Sequence, residues 1–213
     1  MTKNKFYWYL TACISLLIFT GVASLVAFND NLLATIDQAI IQLVRGTITS
    51  GKTLFFSTMT RFGDTLTVIL LTGGLAAILF FYFKEKVAAL WLVINSALIQ
   101  GAGNTILKLL FNRPRPSGEH LVYAGGTSFP SGHSMGSMLL YGTLILLLPK
   151  FIKNKSVCLV LQVLLGLIIL SVGTSRIYLG VHYPTDIIGG FSMGLCWLSF
   201  SYPHFKKYDA LTH

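Results

Sequence analysis

Three short clusters carry most of the reactive side chains of this sequence. The first begins at Lys108 and ends, after six residues, at Arg115-Pro116. The second is Pro130-Ser131-Gly132-His133, and the third is Ser175-Arg176, five residues, His182, three residues and Asp186. Lys108, Arg115 and Arg176 would bring three fixed positive charges to one place. The acids near them, Asp186 and Glu119, are too few to neutralise them. An anionic ligand resolves such a cluster, and phosphate best suits the donor fork of arginine. Ser131 and Gly132, at an expected helix start, add a hydroxyl and outward-pointing N–H groups. Gly132 also permits close backbone approach.

His182 and Asp186 are four apart, one turn of a helix that begins near Pro184. A carboxylate so placed can hold one imidazole nitrogen and leave the other free as a nucleophile. His133, beside the phosphate cradle, can protonate a leaving alkoxide. Attack would give a phosphohistidine that water then hydrolyses. The sequence has no carboxylate cluster and no metal-ligand spacing. The expectation is therefore no metal and no other cofactor, with side-chain cations doing what Mg²⁺ does in other phosphotransfer sites.

The elements that must position these groups follow from composition. Apolar residues make up 54% of the 213, and charged residues only 11%; a soluble domain carries about 25% charged. Intrinsic disorder and an ordinary soluble domain are both excluded. A net charge of +9 would point to nucleic acid in a soluble protein. In a membrane chain its distribution matters more, and no nucleic-acid partner is expected. Cys13, Cys158 and Cys196 lie in apolar runs with unmatched spacing, which supports neither a disulfide framework nor a zinc site.

The apolar runs are 8–28, 66–83, 87–110, about 131–148, 157–174 and about 185–202. The first, preceded by Lys3 and Lys5, is longer than a signal-peptide core of about 7–15 residues and reads as a retained span, with a signal peptide the competing reading. Residues 32–49 are amphipathic, with Asp37, Gln38, Gln42 and Arg45 opposite the apolar stripe. They read as a surface helix at the membrane interface, with Asn29 or Asp30 as candidate cap. Residues 54–61 form a second short interfacial piece. The fold class expected is an all-α integral membrane bundle of six spans, one domain over 1–213, with a short interfacial helix after the first span.

Six spans put both termini on one side, with nine lysines: Lys3, Lys5, Lys84, Lys86, Lys150, Lys153, Lys155, Lys206 and Lys207. That is the cytoplasmic signature. The other side holds Arg45, Lys52, Arg61, Lys108, Arg113, Arg115 and Arg176. Four of these sit at span ends, where ionisable groups are functional candidates. The three clusters thus share the outer face.

The clusters resemble the three signature motifs of the type 2 phosphatidic acid phosphatases, also called lipid phosphate phosphatases. Every defined position is matched, in order, from Lys108 to Asp186. The resemblance implies Lys108, Arg115, Ser131, Gly132 and Arg176 as phosphate binders, His133 as general acid, His182 as nucleophile and Asp186 as its orienter. The family also includes soluble haloperoxidases, which the apolar spans argue against. Among membrane members the chain most resembles small bacterial enzymes that act on phosphatidylglycerol phosphate or undecaprenyl pyrophosphate. The expected setting is the bacterial cytoplasmic membrane, with termini inside and the site outside. The function expected is removal of the terminal phosphate from a lipid phosphate, first phosphatidylglycerol phosphate, with undecaprenyl pyrophosphate as alternative. The rival class is a non-enzymatic lipid binder or flippase. A transporter would place its polar sites nearer the bilayer midplane.

Residues outside the motifs read more plainly. Arg113 is a snorkelling anchor or a lipid-headgroup contact. Gln100, Asn104 and Lys108 recur at every fourth position, a stripe suited to interhelical hydrogen bonds worth roughly 0.6 kcal/mol each. Glu119 and His120 are a solvated loop or touch substrate. Gly136, Gly189, Gly190 and Gly194 allow close helix packing.

Overall fold

A computed structural model of the chain describes residues 3–28 and 30–211. Eight helices are present among them: α1 Lys3–Phe28, α2 Asp30–Arg45, α3 Ser50–Arg61, α4 Thr65–Tyr82 and α5 Lys86–Phe111, α6 Gly132–Phe151, α7 Lys155–Tyr178 and α8 Pro184–Asp209. Five of them, α1 and α4 to α7, are long and apolar enough to cross a membrane. The last helix, α8, is 26 residues long, but Gly, Ser and Pro203 dilute its apolar stretch. Asn29, a candidate cap for α2, lies outside the described residues.

Local chemistry sets the helix ends. Ser131 caps α6 by accepting from Ser134 N, and Asn154 Oδ1 caps α7 by accepting from Ser156 N and Val157 N. In α8, Pro184 opens the first turn, where its missing N–H is no loss. Asp186 then reaches back to accept from Tyr183 N at 2.8 Å.

The central helix is α6, which packs on α5, α7 and α8. Its Met135, Leu139 and Leu140 are buried with Leu92 of α5, Ile169 of α7 and Leu198 of α8. The first helix runs along α8, and its Phe19 stacks on Phe129 at 5.8 Å. That packing makes α1 part of the bundle, as a retained span should be. Residues such as Leu17, Leu66, Leu70, Leu159 and Leu167 stand exposed, the outward apolar face a bilayer would cover.

Two expectations need correction. The second helix is more than an interfacial surface helix, because it packs on α1, α7 and α8. Asp37, assigned above to its polar outer face, is 1% exposed. Burial is tolerated because Arg113 lies 2.9 Å away. The third helix begins at Ser50, earlier than residue 54, and packs on α7 with Thr60 buried.

Two glycines permit the close approaches that shape the site. A Cβ on Gly190 of α8 would meet the Ser131 carbonyl at 2.7 Å, so α8 rests directly on the cap of α6. A Cβ on Gly63 would meet the His133 ring at 2.9 Å, so the turn before α4 presses against His133.

Candidate active site

The three clusters meet where α5 ends, α6 begins and α7 turns into α8. The polar stripe on α5 ties the first two together. Gln100 donates to the Gly132 carbonyl at 2.9 Å, Asn104 to the Pro130 carbonyl at 3.4 Å, and Lys108 Nζ to the Thr127 carbonyl. The stripe is thus a ladder of interhelical bonds. Its first residue, Gln100, lies on the π-helical stretch Ile94–Gly103, a geometry that often marks functional positions.

Arg115 is held in the loop between α5 and α6. It donates from Nε to the Gly126 carbonyl at 3.1 Å, from Nη2 to the Gly125 carbonyl at 2.8 Å and from Nη1 to the Val181 carbonyl at 2.7 Å. The same Nη1 lies 3.1 Å from His182 Nε2. Arg176, in the last turn of α7, is buried. It donates from Nη1 to Thr60 Oγ1 at 2.7 Å, while its Nε has no hydrogen-bond partner among the described residues. Within those residues, Lys108, Arg115 and Arg176 make no ion pair with any carboxylate.

His182 is buried beside Asp186, with Nδ1 3.3 Å from Asp186 Oδ2. Ser128 donates to the same carboxylate oxygen, and its Oγ lies 3.3 Å from Nδ1. The other oxygen, Oδ1, accepts from Arg113 at 2.7 Å. Burial pushes the His182 imidazole down to about 3; Asp186 opposes this, and the charges of Arg115 and Arg176 reinforce it. The ring is therefore neutral at physiological pH.

Arg113 bridges two acids, Asp186 and Asp37, and donates also to Thr185 Oγ1 at 2.8 Å. Burial works against its charge, but the two carboxylates outweigh it and hold its pKa above the ordinary value. Both earlier readings, membrane anchor and headgroup contact, are replaced by this one. Asp37 also accepts from the Thr185 N–H and hydroxyl, each at 2.9 Å. The start of α8 is thereby pinned to α2.

His133 Nε2 lies 3.0 Å from Asp64 Oδ1. Asp64 occupies the N-cap position of α4 without capping it. The hydrogen bond from His133 is the first cause holding its carboxyl below the usual range, with Arg176 and Arg61 adding to it against the effect of burial.

All eight residues picked from the sequence therefore lie in or beside one cluster. Ser131 is the exception in orientation. Its Oγ accepts from Ser134 N and Oγ, at 3.4 and 3.1 Å, and only its own hydroxyl proton is left to donate. Glu119 and His120 are exposed; His120 donates to the Pro116 carbonyl, and the Glu119 carbonyl accepts from Arg45. Sequence reasoning missed Asp37, Asp64, Ser128 and Thr60. One signal was available: the chain has seven acids, so each one at the outer end of an apolar helix is a candidate partner.

From this cluster a cavity of about 530 Å³ runs between α4 and α5, lined by Lys108, Gly132 and His133 at one end and by Val68, Ile69 and Ala97 along its walls. Ser96 and Gln100 line it too. A phosphate held by the cations would have room there for the rest of a lipid.

Comparison with known proteins bears on this arrangement. The family model described as PAP2 superfamily matches residues 89–209, a stretch that contains all three clusters. Phosphatidylglycerophosphatase B of Bacillus subtilis (strain 168) is 36% identical over 143 residues, covering 64% of this chain and 67% of that one. Undecaprenyl-diphosphatase BcrC of the same organism is 32% identical over 91 residues, 40% of this chain and 42% of that one. The crystal structure of a transmembrane PAP2-type phosphatidylglycerolphosphate phosphatase from Bacillus subtilis superposes with a TM-score of 0.82 at 29% identity, covering 91% of this chain and 96% of that chain.

Proposed function

The chain belongs to the PAP2 superfamily and has the fold of a transmembrane PAP2-type phosphatase, and we propose that it hydrolyses phosphatidylglycerol phosphate to phosphatidylglycerol. One observation carries the proposal: Lys108, Arg115 and Arg176, with no carboxylate ion pair among the described residues, lie in one cluster with a neutral histidine. Lys108, Arg115 and Arg176, with the Ser131 hydroxyl and the Gly132 N–H, hold the phosphate oxygens. His182 Nε2 attacks phosphorus as the bond to the glycerol oxygen breaks, and His133 gives that oxygen its proton. Water then attacks the phosphohistidine, His133 takes the water's proton, and inorganic phosphate leaves. Asp186 holds the Nδ1 proton throughout and balances the positive ring of the intermediate. The three cations supply the charge stabilisation, so the reaction runs without a metal.

The remaining features are read in the same way. The sixth span is α8, both termini lie inside a bacterial cytoplasmic membrane, and the site faces out. The chain acts as a single domain. Lipid tails occupy the cavity between α4 and α5, whose Ser96 and Gln100 suit a glycerol ester better than a hydrocarbon polyprenyl chain. The names of the two most similar proteins described above support that preference. Undecaprenyl pyrophosphate is the second reading, supported by the shorter match to an undecaprenyl-diphosphatase.

The test is release of inorganic phosphate by purified protein with EDTA present, compared by kcat/KM across phosphatidylglycerol phosphate, phosphatidic acid and undecaprenyl pyrophosphate. Phosphatidylglycerol phosphate should rank first. Release from none of them would leave a lipid binder or flippase.

A further inference from the structure

The half of the bundle away from the cluster holds a second, wholly different cavity. It measures about 390 Å³ and lies on α6 between α4 and α7, walled by Leu79, Leu144, Leu161 and Leu164 among other leucines. The rings of Phe83 and Phe151 meet at 4.8 Å and close its end. The catalytic cluster uses the opposite ends of these same helices, so this slot takes no part in the chemistry described above.

Beyond the ring pair the chain is basic. Lys84 and Lys86 follow Phe83, and Lys153 and Lys155 follow Phe151. Lys84, Lys153 and Lys155 are exposed. The two acids at this end, Glu85 and Asp209, each lie 2.6 Å from Lys150. One detail sets these lysines apart from a general bias of cations toward one face. Lys155 stands in the first turn of α7, which carries no acid, although a helix N-terminus disfavours cations. An anion placed beside it would offset that unfavourable charge.

We propose that this slot binds an anionic glycerophospholipid in the leaflet opposite the catalytic cluster, with one acyl chain against Leu144 and Leu164 and the phosphate among Lys84, Lys153 and Lys155. Basic pockets between membrane helices bind anionic headgroups in this way. The slot's wall is apolar, and lysines follow the two phenylalanines at its end, which matches the order of groups along such a lipid.

The experiment uses the full-length protein with Leu164→Trp, a lipid-facing position, reconstituted in phosphatidylcholine vesicles. Quenching beyond that of the three native tryptophans is measured as brominated phosphatidylglycerol or brominated phosphatidylcholine is added. Each lysine near an anionic surface contributes about fivefold in association, so the anionic lipid should quench at least about fivefold more effectively. Lys84→Gln/Lys153→Gln/Lys155→Gln should bring the two lipids to parity, and Lys84→Arg/Lys153→Arg/Lys155→Arg should restore the preference. Equal quenching in the parent, or a preference that survives the glutamine triple, overturns the proposal. No quenching by either lipid overturns it too, and assigns the slot to another helix or a second copy of the chain. Phosphatase activity does not enter the readout, so failure here and failure of the proposed function are separable.

Discussion

Arg115 Nη1 lies 3.1 Å from His182 Nε2, and that contact fixes the tautomer of the ring. A guanidinium donates and cannot accept, so Nε2 presents its lone pair and the ring proton sits on Nδ1. There it faces Asp186 Oδ2 at 3.3 Å. In the proposed mechanism Nε2 is the nitrogen that attacks phosphorus, and a phosphate oxygen would replace it as the acceptor of the Arg115 N–H.

If this is how the cradle works, vanadate should inhibit competitively, as a mimic of five-coordinate phosphorus. Arg115→Ala and Arg176→Ala should each weaken inhibition and lower turnover by roughly 10²- to 10³-fold, the usual loss for one donor to a developing oxyanion. Unchanged vanadate inhibition in both variants would remove these arginines from the cradle.

The depressed His182 pKa gives a signed pH dependence. The ordinary value is 6.5 and the folded value about 3. As pH falls below 6.5 the unfolded chain takes up a proton that the folded chain refuses, so stability falls with pH through that window. Thermal unfolding in detergent should therefore lose less on acidification in His182→Gln than in the parent. For the same reason the acid limb of kcat/KM should follow the phosphate pKa of whichever substrate is used. A limb fixed near 6.5 for every substrate would mean that His182 titrates normally.

The buried pair of Arg113 and Asp37, with side chains 10% and 2% exposed, should behave asymmetrically. Arg113→Ala strands both Asp37 and Asp186, and removing one partner of a buried pair costs about 3–5 kcal/mol. Asp37→Asn keeps the Oδ1 acceptor for the Thr185 N–H, so it should cost less. It should lower kcat with KM nearly unchanged, because Asp186 is still held by Ser128 and Tyr183. Unfolding midpoints in the order opposite to this would refute the bridge as a support for Asp186.

The leaving group tests the acid role of His133 and its support by Asp64. His133→Ala should lose roughly 10²- to 10⁴-fold on a lipid phosphate and far less on p-nitrophenyl phosphate, whose leaving group needs little protonation. Asp64→Asn should show the same pattern at smaller size. Equal losses on the two substrates would return His133 to phosphate binding or packing.

Topology is checked by labelling. In a cysteine-free background, a cysteine at Gly125 should react with an impermeant thiol reagent in intact cells, and one at Lys153 should not. The reverse pattern would invert the proposed orientation.

The sequence by itself determined the helical class, the membrane setting and the three clusters proposed to react. Apolar runs long enough to span a bilayer leave few other folds available, and the spacing from Lys108 to Asp186 is local information. Even the His182–Asp186 contact was legible, because residues four apart share a helix face. What only the tertiary structure decided are the partners with no fixed sequence offset. Asp64 meets His133 across 69 positions, and Asp37 meets Arg113 across 76. Read along α2 alone, Asp37 falls on the polar face and belongs in water. Packing of α2 onto α7 and α8 turns it inward, where burial is tolerable only because Arg113 is there to pair with it. The same holds for the cradle. One-dimensional spacing shows that three cations exist, but whether a carboxylate neutralises them depends on which acid each helix crossing brings near. Here Arg113 draws Asp186 and Asp37 to itself, and Lys108, Arg115 and Arg176 are left without a carboxylate ion pair among the described residues.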